Sequence, residues 1–153
     1  MLAFFTFRRA TLDDLSRLVP LFDAYRQFYE QAPDLIGAER FLRERLEKNE
    51  SVIFLALDEH SRGAGFVQLY PVFSSVRMKR FWLLNDLFTA PEFRGQGIGE
   101  QLIEKAKQLA SETNAKGLLL QTAVTNKAGQ RLYERTGFVR DEDSYYYEWR
   151  NKL

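Results

Sequence analysis

Arg94-Gly95-Gln96-Gly97-Ile98-Gly99 lies between an apolar run and an amphipathic one, and it decides how the chain around it folds. Before it, Phe81 to Thr89 reads as a strand, which Pro91 stops because proline offers no ladder donor. After it, Ile98, Leu102, Ala106, Leu109 and Ala110 form one apolar stripe, the signature of a helix from Gly97 to about Asn114. Glycines at 95, 97 and 99 let backbone N–H groups approach a ligand closely. The helix start behind them adds unpaired donors and a partial positive charge. The combination suits a phosphate or pyrophosphate, and Arg94 places a fork of charged donors at its lip. The glycines alone are equally consistent with a tight strand–helix connection that holds nothing. Two nucleotide motifs can be excluded. A P-loop needs Lys and Ser/Thr after its last glycine, where Glu100 and Gln101 stand. A dinucleotide fingerprint needs glycine at 100 and an acid at the end of the next strand, where Gln121 and Thr122 stand.

Working outward, Phe4 to Arg8 reads as a short strand. Thr11 opens a helix with Asp14 as the acid of a capping box. Leu15, Leu18, Phe22, Tyr25 and Tyr29 keep one helical face, with Pro20 inside it as a point of kinking or splitting. Gln31 to Gly37 reads as a break, and Ala38 to Lys48 as a second helix. Val52 to Asp58 and Ala64 to Tyr70 make a hairpin around a turn at Glu59 to Gly63, with Pro71 ending the second strand and His60 exposed in the turn. Leu118 to Thr122 is a buried-type strand, and Lys127 to Thr136 a helix closed by Gly137 at C′. Tyr145 to Arg150 closes the chain as an aromatic strand. The order β-α-α-β-β-β-α-β-α-β implies an α/β (α+β) fold with a mixed sheet and helices on both faces.

The 153 residues suit one domain, 1–153. Lys and Arg number 22 against 21 Asp and Glu, a formal charge of +1, which lacks the basic excess of a nucleic-acid or membrane-surface binder. The 45% hydrophobic content, with 13 Phe, 7 Tyr and 2 Trp, is enough for a packed core. Without cysteine there is no disulfide, thiolate nucleophile or Cys-bound metal, and His60 alone cannot make a multi-histidine site, so no metal is expected. The apolar start, Met1 to Phe7, is too short for a secretory h-region, and no run reaches the ~18 residues of a spanning helix. A cytoplasmic location is expected.

At this point the sequence resembles the GNAT superfamily of N-acetyltransferases. Their acetyl-CoA motif, Gln/Arg-x-x-Gly-x-Gly/Ala after the fourth strand, is matched by Arg94, Gly97 and Gly99. The lead-in Leu84-Asn85-Asp86-Leu87-Phe88-Thr89-Ala90-Pro91 is similar to the family's strand. A later motif, Asn-x-x-Ala/Gly-x-x-Leu/Phe-Tyr-x-x-x-Gly-Phe, is matched by Asn126, Gly129, Leu132-Tyr133 and Gly137-Phe138. The two motifs cover roughly residues 82–138, and their joint occurrence in order is far more specific than either alone.

The resemblance implies the GNAT acyl-CoA N-acyltransferase fold, with acetyl-CoA as acetyl donor. The backbone of Leu87, Phe88 and Thr89 is implied to hold the pantetheine arm and acetyl carbonyl. Arg94, Gly95, Gln96, Gly97, Ile98, Gly99 and Glu100 are implied to wrap the pyrophosphate, and Asn126 with Gly129 to lie on the cofactor. Tyr133 is implied to sit near the thioester sulfur; by its setting beside Leu132 it also reads as a core aromatic, and Asn126 also reads as an N-cap. Attack requires a neutral amine. An alkylamine of pKa about 10.4 is neutral in roughly one molecule in 10³ near pH 7, a deficit of about 4.6 kcal/mol that a base or water chain must offset. Tyr133 is suited to giving a proton to the leaving thiolate. Relatives that acetylate polyamines carry Glu-Asp where this chain has Asn85-Asp86, and Asn85 cannot take a proton. Strand alternation would put the two on opposite faces, with Asp86 beside Trp82, Leu84 and Phe88, as a paired core or rim acid or as a group that orients a water chain.

The first two helices of the family shape the acceptor pocket. Here Tyr25, Tyr29, Glu30 and Asp34 suit a cationic amine, by cation–π contact and by charge. The rings also continue the apolar stripe, and the acids also read as solvated loop charges. This segment is closest in look to the small-amine and diamine acetyltransferase branch. The expected partner is therefore a small-molecule amine, with no nucleic acid and no membrane. The aromatic tail suits a central strand or a homodimer contact, and the resemblance favours the homodimer. Alternative readings are a non-catalytic acyl-CoA-binding sensor, motivated by Asn85, and an acetyltransferase acting on a protein or peptide amine.

Overall fold

Residues 4–153 are described by a computed structural model, and they fall into two compact units, one ending at Gln121 and the other spanning Thr122–Leu153. The part of the apolar start before residue 4 lies outside the described residues. In the first unit β1 (Thr6–Arg9) leads into a 3-10 turn at Leu12–Asp14, where the Asp14 carboxylate accepts the Thr11 N–H at 2.9 Å, as the capping-box reading expects. α1 (Leu15–Phe28) then runs unbroken through Pro20 and buries Leu15, Leu18, Val19, Leu21 and Phe22. α2 (Leu35–Glu47) starts three residues earlier than the apolar pattern suggests, because the Asp34 carboxylate caps it by accepting Gly37 N–H at 2.8 Å.

β2 (Val52–Leu57), β3 (Gly63–Ser74) and β4 (Lys79–Thr89) form an antiparallel meander, with β1 antiparallel on the outer side of β2. β3 runs past Pro71, where a stop was expected. Pairing with β2 ends at Leu69, so Pro71 lies where β3 has β4 alone as neighbour and the missing N–H is tolerated. α3 (Ile98–Glu112) follows, and β5 (Leu118–Leu119) joins β4 in parallel opposite Trp82 and Leu83. The sheet order is β1-β2-β3-β4-β5.

The helices cover both faces. Phe66 meets Phe22 and Tyr25 of α1. The adjacent Gly65 faces α3, since a Cβ there would stand 3.2 Å from Ile98 Cγ2 and 2.7 Å from the Phe88 carbonyl oxygen. The α1 side buries Ile53, Leu55, Leu57, Phe66 and Phe88 together with Ala38 and Leu42 of α2. On the α3 side Ile98, Leu102, Ile103 and Ala106 are buried.

In the second unit α4 (Lys127–Arg135) is capped by Asn126, whose side-chain oxygen accepts Gly129 N–H at 3.1 Å. It ends at Gly137, with φ +97° and Phe138 N–H returning to the Tyr133 carbonyl, the expected C′ arrangement. Two further expectations are corrected. The strand expected over Leu118 to Thr122 is limited to Leu118–Leu119. Its ladder stops opposite Leu83, two residues before the register irregularity in β4 at Asn85. No strand forms over Tyr145 to Arg150, and among the described residues α4 is the last regular element. Rings at successive positions give that tail no single face to lay on a sheet, and Tyr145, Tyr146, Tyr147 and Trp149 are exposed.

Candidate active site

β4 supplies the chemistry of the first unit, and an extra residue in it sets the geometry. Gln68 pairs with Asp86, but the next residue of β3, Leu69, pairs with Leu84, so Asn85 is a bulge. The bulge reverses the faces beyond it. Trp82 points to α3, where its indole N–H donates to Thr113 Oγ1 at 2.9 Å. Asp86 and Phe88 lie on the α1 side, with Tyr25 against both. Asn85 and Asp86 are therefore neighbours and not opposed: Asn85 Nδ2 donates to Asp86 Oδ1 at 3.0 Å. Alternation had placed them apart and grouped Asp86 with Trp82 and Leu84; one inserted residue accounts for the difference.

Asp86 is 4% exposed, whereas Asn85 beside it is open to solvent. Neutral groups surround the carboxylate. Gln68 Nε2 donates to Oδ2 at 2.7 Å, Asn85 to Oδ1, and the Tyr25 hydroxyl reaches it too while lying 3.4 Å from the Asn85 carbonyl oxygen. Burial pushes the carboxyl above its ordinary value, and the three donors hold it back only in part. Burial and the Asp86 charge in turn raise the Tyr70 phenol. Gln68 is wholly buried, and its Oε1 accepts the Ser51 hydroxyl at 2.9 Å. Sequence reading missed Gln68 and Ser51. The signal was a lone amide inside the apolar run Phe66-Val67-Gln68-Leu69, which a buried strand accommodates only with a polar partner.

Five residues beyond Thr89, after a 3-10 turn at Pro91–Phe93, the chain enters the glycine turn at Arg94. Arg94 Nε donates to the Thr89 carbonyl at 3.1 Å, and its guanidinium lies over Phe88, which ties the turn to the end of β4. Gly95 and Gly97 have φ of +76° and +79°, and a Cβ at either would meet nothing within 4 Å. Conformation, not crowding, calls for glycine there, and the space above both is open. The first helical bond of α3 runs from Gln101 N–H to the Gly97 carbonyl, so the N–H groups of Ile98 and Gly99 point out of the helix start. An open backbone cradle ahead of a 15-residue helix fits a diphosphate.

On the proposed acceptor side, Tyr25 and Tyr29 pack edge-on at 5.0 Å, with Phe28 5.3 Å from Tyr29. Glu30 takes φ +62° at the exposed end of α1, and the Asp34 carboxylate is engaged in capping α2. Tyr25 is thus the acceptor-side residue that the fold brings to Asp86.

In the second unit Asn126 binds Thr122 Oγ1 through Nδ2 at 3.0 Å while capping α4, and a Cβ at position 129 would come 2.4 Å from that nitrogen. Tyr133 packs against Phe138 at 5.9 Å, so the paired aromatics of the later motif are ring neighbours.

Residues 18–138 match the acetyltransferase (GNAT) family. The chain is 48% identical over 140 residues to an uncharacterized N-acetyltransferase, YhfO, of Bacillus subtilis, covering 92% of this chain and 93% of that one. It is 40% identical over 106 residues to a probable acetyltransferase of Haemophilus influenzae, covering 69% and 73%. The crystal structure of a probable acetyltransferase superposes with a TM-score of 0.92 at 42% identity, covering 97% of this chain and 99% of that one. A predicted acetyltransferase of Clostridium acetobutylicum solved with acetyl-CoA shares the fold, with a TM-score of 0.77 at 19% identity and coverage of 95% and 96%. The chain belongs to the GNAT family and is an N-acetyltransferase.

Proposed function

We propose that the protein moves the acetyl group of acetyl-CoA directly onto a primary amine, with a small amine or polyamine-like molecule as acceptor. One observation carries the reading: an open, left-handed glycine turn at the end of a strand whose bulge brings Asn85 onto a buried carboxylate. Acetyl-CoA supplies an activated acetyl thioester. Backbone N–H groups of the Arg94–Gly99 turn bind its diphosphate, and the backbone of Leu87 to Thr89 orients the acetyl end. Asn85, exposed, orients a water against the amine, and Asp86 behind it takes the ammonium proton that must leave before attack. Tyr133 gives its hydroxyl proton to the departing thiolate. No thiol is present to carry the acetyl group, which favours direct attack over an acyl-enzyme.

Asp86 also speaks against the acyl-CoA sensor, because the carboxyl that Asn85 lacks is retained one residue on. A peptide amine is the second acceptor class. It is favoured by Phe28, within the acceptor segment, and by Leu35 and Ile36 just after it, all apolar and exposed. Turnover tests both. Acetyl-CoA is incubated with a panel of diamines, polyamines, aminoglycosides and peptides of varied N-terminus, and free CoA is read with a thiol reagent. Release with the small amines supports the reading, release with peptides alone moves the acceptor to the second class, and no release with any amine overturns the enzyme mechanism.

A further inference from the structure

A buried carboxylate that gains and loses a proton each turnover needs hydrogen-bond partners suited to both of its forms. An anion takes donors only, and the neutral acid must also donate. Around Asp86, the Asn85 amide and the Tyr25 hydroxyl can also both donate and accept, but Gln68 is the one of the three that is wholly buried. Its amide has a donor end and an acceptor end, and it is wholly buried directly across the ladder from Asp86. In the structure the donor end, Nε2, faces the carboxylate at 2.7 Å, and the acceptor end is held by the Ser51 hydroxyl at 2.9 Å. Were the amide to turn over, Oε1 would face Asp86 and accept its proton, while the Ser51 hydroxyl would rotate to accept Nε2–H. In both arrangements the Gln68 amide keeps a partner at each end. In the present one no buried side-chain nitrogen or oxygen among the described residues lacks a partner. An amide does not conduct protons readily, so the line is not an exit path. Its role is to fix the carboxylate's direction and to favour its anionic form.

We infer that Gln68, backed by Ser51, is a positioning residue that holds Asp86 as a proton acceptor. The inference rests on the proposed role of Asp86. The titratable and charged groups facing that carboxylate are few. Tyr25 comes from α1 and Tyr70 from β3, with Arg45 of α2 and Glu50 acting on Tyr70 from beyond it. None is a cation in contact with Asp86, so the amide donors carry a larger share of its stabilisation than they would beside an arginine.

The test is the acid limb of kcat/KM against pH. Gln68→Leu removes the donor at similar bulk and should move the limb upward by half a pH unit or more. Gln68→Glu places a second carboxyl on Asp86, forces the two to share a proton, and should move it by more than one unit. Ser51→Ala, a smaller change that keeps the test alive if the Gln68 variants fail to fold, should move it in the same direction by less. KM for acetyl-CoA should stay within twofold in each. The Asp86 carboxyl is also titrated directly by NMR, in protein labelled with 13C at aspartate Cγ and assigned with Asp86→Asn, without any substrate. That readout separates the two possible failures. An Asp86 titration that responds to the variants in a protein with no turnover leaves the positioning role standing and removes the proposed reaction. Folded variants whose acid limb and carboxyl titration both coincide with wild type overturn the inference.

Discussion

At the scale of single residues, one buried acid holds the fold's entry and another lies in the candidate site, and neighbours set their opposite behaviour. Asp14, buried at the start of α1, is gripped by Arg8 through both oxygens at 2.6 and 2.8 Å and also accepts Thr11 N–H. The Arg8 hydrogen bond holds its carboxyl below the ordinary value, against burial, which pushes the other way. Because the folded value is depressed, this contribution to stability is present above the ordinary carboxylate range and disappears as pH falls through the depressed value. Arg8 is partly exposed, so solvent screens the ion pair, and the cap and hydrogen bonds make up most of the effect. Asp14→Ala should therefore cost about 2 kcal/mol at neutral pH. In thermal melts the gap to wild type should shrink steadily between pH 5 and pH 3; a gap independent of pH would show that Asp14 acts through packing alone. Asp14 was legible in the sequence because a capping box has fixed spacing. The surroundings of Asp86 were not, because a bulge inserts one residue without any mark in composition, and every side chain after it changes face.

At the scale of elements, sequence periodicity served best where an element packs along its whole length. The stripe of α3 and the C′ glycine of α4 were both readable, since each follows from local geometry alone. Strand ends were less so: β3 passes Pro71 because of what lies beside it, and β5 stops two residues short of the irregularity in β4. Gly65 shows what such neighbours demand. It pairs with Thr89 at the end of β4 and lies under Ile98 at the start of α3, the two elements joined by the glycine turn. A methyl group there would come within 2.7 Å of the Phe88 carbonyl oxygen, a backbone atom that cannot swing aside. Gly65→Ala should thus force β3 from β4 or lift α3, at a cost of about 1–3 kcal/mol. Scanning calorimetry should show a fall of roughly 2–12 °C in Tm, taking ~2–4 °C per kcal/mol for a chain of this size. An unchanged Tm would mean that α3 does not seat on Gly65 as described.

For the whole molecule, the order of elements from β1 to α4 was readable from patterning and turn chemistry, whereas the tail was not, since a strand exists only where another strand receives it. The same distinction governs function. The family is legible because its motifs are backbone devices, glycines with positive φ and a capped helix start, which sequence records faithfully. The acceptor is not, because side chains far apart in sequence assemble the surface around Tyr25. If backbone groups of the glycine turn grip the diphosphate, affinity should belong to the part of the molecule that carries it, whatever the acceptor. A ligand at one hundred times its Kd stabilises the folded state by about 2.7 kcal/mol. Acetyl-CoA and free CoA should then each raise Tm by roughly 5–11 °C at that saturation, at ~2–4 °C per kcal/mol. Pantetheine at equal concentration, lacking the diphosphate, should raise it far less. Gly97→Ala, which must strain a backbone at φ +79° though nothing crowds the site, should weaken the response to both CoA species while Tyr133→Phe leaves it intact. Equal shifts from pantetheine and CoA would place the recognition in the arm and not in the turn.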